Sequence, residues 1–114
     1  MSLSTHVLDT ATGRPASGIV VRAEFAADPT AADSWSETGT GTTDADGRIG
    51  DLLSGDLRPG THRVTFATGP YFADRGVEAF WGDVTITFHV TDPADHYHVP
   101  LLLSPYGYST YRGS

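Results

Sequence analysis

Val84, Ile86, Phe88 and Val90 occupy every second position of a run whose other positions are Thr85, Thr87, His89 and Thr91. A period of two puts the apolar side chains on one face of an extended strand and the polar ones on the other, an arrangement no helix produces. The alternation recurs at Ile19, Val21, Ala23 and Phe25 against Val20, Arg22 and Glu24, and at Val64 and Phe66 within Arg63 to Thr68. Leu3 to Leu8 reads as a first strand, stopped by Asp9-Thr10-Ala11-Thr12-Gly13. Trp35 to Thr43, rich in Ser and Thr, suits an edge or a solvated face, and Val99 to Leu103 closes the set. Turn chemistry separates these segments, most clearly at Thr43-Asp44-Ala45-Asp46-Gly47, where Asp and Gly tolerate a tight reversal. One stretch has helical spacing: Ala73, Val77 and Phe80 or Trp81, within 72–81, with Pro70 upstream and Gly82 placed to end the last turn. A helix of about ten residues is marginal alone and must pack on a sheet. Seven or so short strands with one short helix predict a mainly β fold, a two-sheet sandwich instead of βαβ units.

Composition narrows the partners. At 114 residues the chain is a single domain, 1–114. A chain of this size buries roughly two-thirds of its unfolded surface, enough for one core without staples. The absence of cysteine removes disulfides, thiolate metal sites and a thiol nucleophile. Lys and Arg total 7 against 14 Asp and Glu, a formal net charge of -7. That balance argues against nucleic acid, whose phosphates require a basic surface, and against anionic lipid. No apolar run is long enough to span a bilayer, and Met1-Ser2-Leu3-Ser4 has neither a basic nor an apolar leader region. The expectation is a soluble, cytoplasmic domain without a membrane or nucleic-acid partner.

Five histidines are the first candidates for proton chemistry. His89 alternates with threonines on a solvent-type face, His62 follows Pro59-Gly60 at a loop-to-strand junction, and His96 ends the Pro93-Ala94-Asp95 loop. These three are expected to do no chemistry. His6 and His98 each lie inside a strand, on the face opposite Val7 and Val99. They either belong to a preorganised site or point into solvent from edge strands. His96 and His98 share a strand face, and His6 could supply a third metal ligand, but this spacing is not diagnostic and no metal is assigned. The Asp44-Ala45-Asp46-Gly47 run fails as a calcium loop, because its first ligand slot would be Thr42 and its final glutamate slot Leu53. No nucleophile elbow, P-loop or dinucleotide glycine pattern is present. Arg48, next to the turn glycine, could offer a planar donor fork to an anionic or carbonyl-rich ligand, or be an ordinary exposed arginine. The segment His96 to Ser114 ends in Tyr111-Arg112-Gly113-Ser114, an aromatic, a cation and a hydroxyl where a chain end is usually tolerant of change.

Leu3-Ser4-Thr5-His6-Val7-Leu8-Asp9, Gly13-Arg14-Pro15-Ala16, Thr43-Asp44-Ala45-Asp46-Gly47-Arg48 and the whole of His96 to Ser114 resemble the 5-hydroxyisourate hydrolases, transthyretin-related enzymes of urate breakdown. The resemblance covers the chain, and its ending, Tyr-Arg-Gly-Ser, separates the enzymes from the hormone carrier of the same fold. It implies a transthyretin-like β-sandwich of two four-stranded sheets with one short helix. It implies a homotetramer, a dimer of dimers, with sites in the channel between dimers. It implies hydrolysis of 5-hydroxyisourate, a purine-derived cyclic amide, without cofactor or metal. By position, His6, Arg48, His98 and Ser114 match the family's catalytic set, and Tyr111 matches a substrate-binding position alongside His6 and Arg48. On this reading His98 is the general base, and His6 positions substrate or relays the proton. The alternative is a transthyretin-like small-molecule carrier using the same channel.

Overall fold

The alternating segments pair into two sheets. The computed structural model describes residues 3–113. In one sheet, β1 (Leu3–Asp9) and β8 (Tyr97–Ser104) run parallel at the centre, with β9 (Gly107–Thr110) outside β8. The free edge of β1 is covered in two halves: β5 (Arg48–Ile49) pairs with Thr5 and His6, and β2 (Arg14–Pro15) pairs with Leu8 and Asp9. Between them the Val7 N–H donates to the Gly47 carbonyl (2.7 Å), and the Ala16 N–H donates to the Val7 carbonyl (3.0 Å), so both backbone groups of Val7 on that edge are paired. The other sheet is β4 (Trp35–Thr42), β3 (Val20–Ala26), β6 (Gly60–Phe66) and β7 (Val84–Val90), all antiparallel. This is the expected two-sheet sandwich, with two-residue β2 as a fifth strand beside the anticipated four. The Ser/Thr-rich β4 is an edge strand, as its composition implies.

The core lies between the inner faces. Leu3, Val7, Leu101 and Leu103 of the first sheet meet Val21, Ala23, Val64 and Phe66 of the second, all at most 1% exposed. Each large side chain buried this way stabilises by about 1.5–3 kcal/mol. The core therefore fixes which face of each strand is left for other work. Among the described residues no helix is long and apolar enough to cross a membrane.

Two local expectations are corrected. The helix, α1, spans Thr68–Asp74 and not 72–81. It ends at Asp74, and just past its Arg75 cap Gly76 takes a left-handed φ of 67° that glycine adopts most readily, while the Gly76 and Val77 N–H groups cap the Ala73 and Phe72 carbonyls (3.1 and 3.0 Å). Val77 and Phe80, which supplied the helical spacing, lie beyond the stop, and Phe80 is 72% exposed. Gly82 serves the other end of the helix, its carbonyl accepting the Gly69 N–H at 2.8 Å. The strand expected at Arg63 begins at Gly60, so His62 is inside β6 and not at a loop junction. It is 2% exposed, lies between Phe25 and Phe88 (ring centroids 4.9 and 5.8 Å), and its Nε2–H donates to the Arg58 carbonyl at 2.7 Å. Burial, above all, holds its pKa below the ordinary imidazole value.

Candidate active site

The pleat of β1 sends Leu3, Thr5, Val7 and Asp9 into the core and leaves Ser4 and His6 on the outer face of the sheet. In β8 the inward set is Tyr97, Val99, Leu101 and Leu103, which puts His98 on that same outer face. Parallel pairing sets Ser4 directly beside His98 and His6 beside Pro100. His6 and His98 are thus on interior strands, with two backbones fixing them, and not on edges.

A tight turn delivers the guanidinium. The Asp44 carboxylate accepts the Asp46 and Arg48 N–H groups (2.9 and 3.0 Å), and the Asp44 carbonyl accepts the Gly47 N–H (2.9 Å). Gly47 has φ 75°, and a Cβ there would stand 2.5 Å from the Val7 carbonyl oxygen, so both backbone angle and space exclude a side chain. The turn feeds β5, whose register puts Arg48 opposite His6. Arg48 is exposed and has no carboxylate partner among the described residues.

Ser4, Arg48, Ile49, Gly50, His96 and His98 line a cleft of about 350 Å³ on this face. No carboxylate is among its lining residues, in a protein of net charge -7. His98 is half-buried, its Nδ1 2.8 Å from Ser4 Oγ, which leaves Nε2 as the ring nitrogen without a partner among the described residues. Burial is the largest reason its pKa lies below the ordinary value, followed by the electrostatic repulsion a proton on it meets from the neighbouring His6, His96 and Arg48. The neutral imidazole, the form that can accept a proton, is therefore favoured near neutral pH.

The tail closes the other side. Thr110 Oγ1 donates to the Pro100 carbonyl (2.6 Å), the Gly113 N–H donates to the His98 carbonyl (2.8 Å), and the Arg112 guanidinium lies 4.5 Å from the centre of the Tyr97 ring. A Cβ on Gly113 would sit 2.3 Å from His98 Cδ2. The imidazole is held between Ser4 on its Nδ1 edge and Gly113 on its Cδ2 edge. Tyr111 and Arg112 line an adjoining depression of about 230 Å³ with His98, Ile86 and Phe88, so His98 is the wall shared by the two hollows.

Of the expected site residues, His6, Arg48 and His98 come together on one face, and Tyr111 reaches His98 from the far side without lining the Arg48 cleft. Ser114 lies outside the described residues. His89 is exposed, as expected, with its Nδ1 3.2 Å from Thr61 Oγ1. His96, set aside as a loop histidine, instead lines the cleft, its Nε2 2.8 Å from Ser4 Oγ. Sequence reasoning passed over Ser4 and Gly113. The signal for Ser4 was its place two residues before His6 in an extended run, which shares a face. Its neighbour across the sheet follows only from the β1–β8 pairing. Because Ser4 already engages one ring nitrogen each of His96 and His98, those nitrogens are turned toward a hydroxyl, and among the described residues no three His, Asp or Glu side chains are grouped to hold an ion.

The chain matches known proteins along its length. The model of the HIUase/Transthyretin family covers residues 3–113. The chain is 47% identical over 113 residues to a 5-hydroxyisourate hydrolase of Salmonella typhimurium, covering 98% of this chain and 80% of that one. Its fold is similar to the solved 5-hydroxyisourate hydrolase of Klebsiella pneumoniae, with TM-score 0.84, 36% identity and full coverage of both chains. It is similar to sea bream transthyretin solved with thyroxine, with TM-score 0.84, 31% identity and coverage of 99% and 95%. A transthyretin-like sandwich with an outer face furnished by His6, Arg48 and His98, matched from residue 3 to residue 113, belongs to the HIUase/Transthyretin family.

Proposed function

We propose that this protein is a hydrolase that opens the six-membered ring of 5-hydroxyisourate, giving 2-oxo-4-hydroxy-4-carboxy-5-ureidoimidazoline on the route from urate toward allantoin. One observation carries the reading: a half-buried imidazole of lowered pKa, its Nε2 unpartnered among the described residues, stands in a carboxylate-free cleft with an exposed guanidinium. The names of the relatives support the substrate.

Opening a cyclic amide needs a base for water and a donor for the developing oxyanion. His98 Nε2 takes a proton from water as its oxygen adds to the ring carbonyl. Arg48 holds the electron-rich ring and stabilises charge on that oxygen. The tetrahedral intermediate then collapses, the ring C–N bond breaks, and a proton goes to the departing nitrogen, with His6 positioning the substrate or relaying that proton. Each proton transfer contributes roughly 10²–10⁴-fold. Tyr111 contacts the substrate, and Ser114 orients water through its hydroxyl. The working form is a cytoplasmic homotetramer, a dimer of dimers with sites between the dimers. No cofactor or metal takes part.

The likeness to thyroxine-bound transthyretin favours a second reading, a small-molecule carrier on the same scaffold. Absorbance of freshly generated 5-hydroxyisourate decides between them. Acceleration beyond spontaneous decay, unaffected by a chelator, is the expected result. No acceleration leaves the carrier, and chelator-sensitive turnover reinstates a metal on the histidines. His98→Asn is expected to lose at least a hundredfold in kcat, on the order of one general-base contribution, and near-wild-type turnover in that variant would remove His98 as the base.

A further inference from the structure

Ser4 Oγ is 2.8 Å from His98 Nδ1 and 2.8 Å from His96 Nε2, and it has no other hydrogen-bond partner among the described residues. Ser4 is 8% exposed, so leaving its O–H without an acceptor would be costly. A hydroxyl has one proton to give. To satisfy it, Ser4 must donate to one imidazole and accept from the other. The two rings are therefore coupled: whenever His98 Nδ1 carries a proton, His96 Nε2 is the acceptor, and the reverse.

This coupling matches what a base at His98 requires. A free lone pair on His98 Nε2 demands the proton on Nδ1, with Ser4 donating onward to His96 Nε2. Once Nε2 has taken a proton from water, the ring is an imidazolium in a half-buried place, with the Arg48 guanidinium lining the same cleft. It needs an exit for one proton. His96 supplies one, because it is exposed at the mouth of the same cleft.

We propose that Ser4 is a positioning residue that fixes the reactive tautomer of His98 and, with His96, forms a proton path from His98 to solvent. This rests on the reading of His98 as general base. The transfer balances: the His98 Nδ1 proton passes to Ser4 Oγ, the Ser4 hydroxyl proton passes to His96 Nε2, and His98 is left neutral with its proton on Nε2. The charge now sits on His96, which releases it to water or buffer. As the departing ring nitrogen takes the Nε2 proton, a proton returns from solvent through His96 and Ser4 to His98 Nδ1, so that His98 stays neutral and the starting tautomers are restored. The groups facing His98 are His6 from β1, Arg48 from β5 and His96 at the entry to β8, with His89, Tyr111 and Arg112 on the adjoining side.

Wild type, Ser4→Ala, Ser4→Thr, His96→Gln and His98→Asn are compared on 5-hydroxyisourate at low and high concentrations of imidazole buffer, as full-length proteins checked for folding by circular dichroism. Ser4→Ala and His96→Gln are expected to lose about tenfold or more in kcat with KM nearly unchanged, and to recover with added buffer, as for a lost general acid–base step. Ser4→Thr keeps the hydroxyl and is expected to stay near wild type. Imidazole ¹⁵N–¹H spectra are expected to show the His98 proton on Nδ1 in wild type and moved toward Nε2 in Ser4→Ala. Active wild type, inactive His98→Asn, and Ser4→Ala and His96→Gln at wild-type rate without buffer response would overturn the path while leaving the function intact. An inactive wild type would instead break the functional reading. The spectra then decide the Ser4 role alone, an unchanged tautomer in Ser4→Ala overturning it. Should Ser4→Ala not fold, Ser4→Thr and the exposed His96→Gln carry the same comparison.

Discussion

At its C-terminal end, β1 buries Asp9, whose carboxylate accepts the Ala11 and Thr12 N–H groups (3.0 and 3.3 Å) and the Tyr71 hydroxyl (2.9 Å). At its N-terminal end the same strand presents Ser4 to a cleft shared with His96, His98 and Arg48, and carries His6 on the same face, paired with Arg48. Both clusters are polar and both join distant parts of the chain. In the first, a buried charge meets three donors, and Tyr71, stacked under Arg75 at 3.7 Å, pins α1 to the sheet. In the second, imidazoles and a guanidinium gather without a carboxylate in the cleft lining, and both the Arg48 guanidinium and His98 Nε2 keep unused capacity among the described residues. The contrast separates structure from function on one strand: satisfied polarity holds the fold, and convergent unsatisfied polarity waits for a ligand.

Breaking each end tests that division. Arg48→Gln is expected to lower kcat/KM about 10²–10³-fold, the usual consequence of removing one oxyanion donor, with the urea midpoint close to wild type. A stability loss as large as the activity loss would make Arg48 structural. Tyr71→Phe is expected to show the opposite pattern. Removing one donor from a buried carboxylate costs about 1–3 kcal/mol in urea unfolding, while kcat on 5-hydroxyisourate stays within about twofold because no catalytic group is touched. A kinetic defect larger than the stability defect would join the two ends into one site.

The smallest effect concerns acid. His98 has a lowered pKa in the fold, so the acidic limb of kcat/KM should fall below the ordinary imidazole value of 6.5, activity declining as pH drops through it. Arg48 is one of the charges holding it down, so the residual activity of Arg48→Gln should show that limb moved to higher pH. A limb that does not move would remove Arg48 from the electrostatics of the base. The sign for stability is the same: His98 and His62 both bind protons more weakly folded than unfolded. Their contribution is complete above the unfolded value and is lost as pH falls through the lowered ones.

Strand faces were legible because a two-residue period and a buried core leave little choice. Val84 to Val90 alternates as the sequence implies, and Val21 and Ala23 point inward. The helix was misplaced because Val77 and Phe80 fall at helical spacing by chance, whereas Gly76, whose φ of 67° ends the helix, carries a local signal that Gly82 outcompeted. His6, Arg48 and His98 were reachable through resemblance, but Ser4 and His96 were not. Their meeting depends on β1 and β8 lying parallel in one register, 92 residues apart for that contact, and no local pattern encodes which strands become neighbours.

That long separation has a consequence in time. A hydrogen bond between residues 4 and 98 cannot form until the two ends of the chain have been brought side by side, and contacts of such span are among the slow ones to close. The tail then adds its own requirement, because Gly113 must seat against the His98 ring before that ring has a single orientation. Chains that have collapsed, or formed β3, β4, β6 and β7 alone, hold all the residues of the cleft and none of its geometry. The base is finished only when the sandwich is.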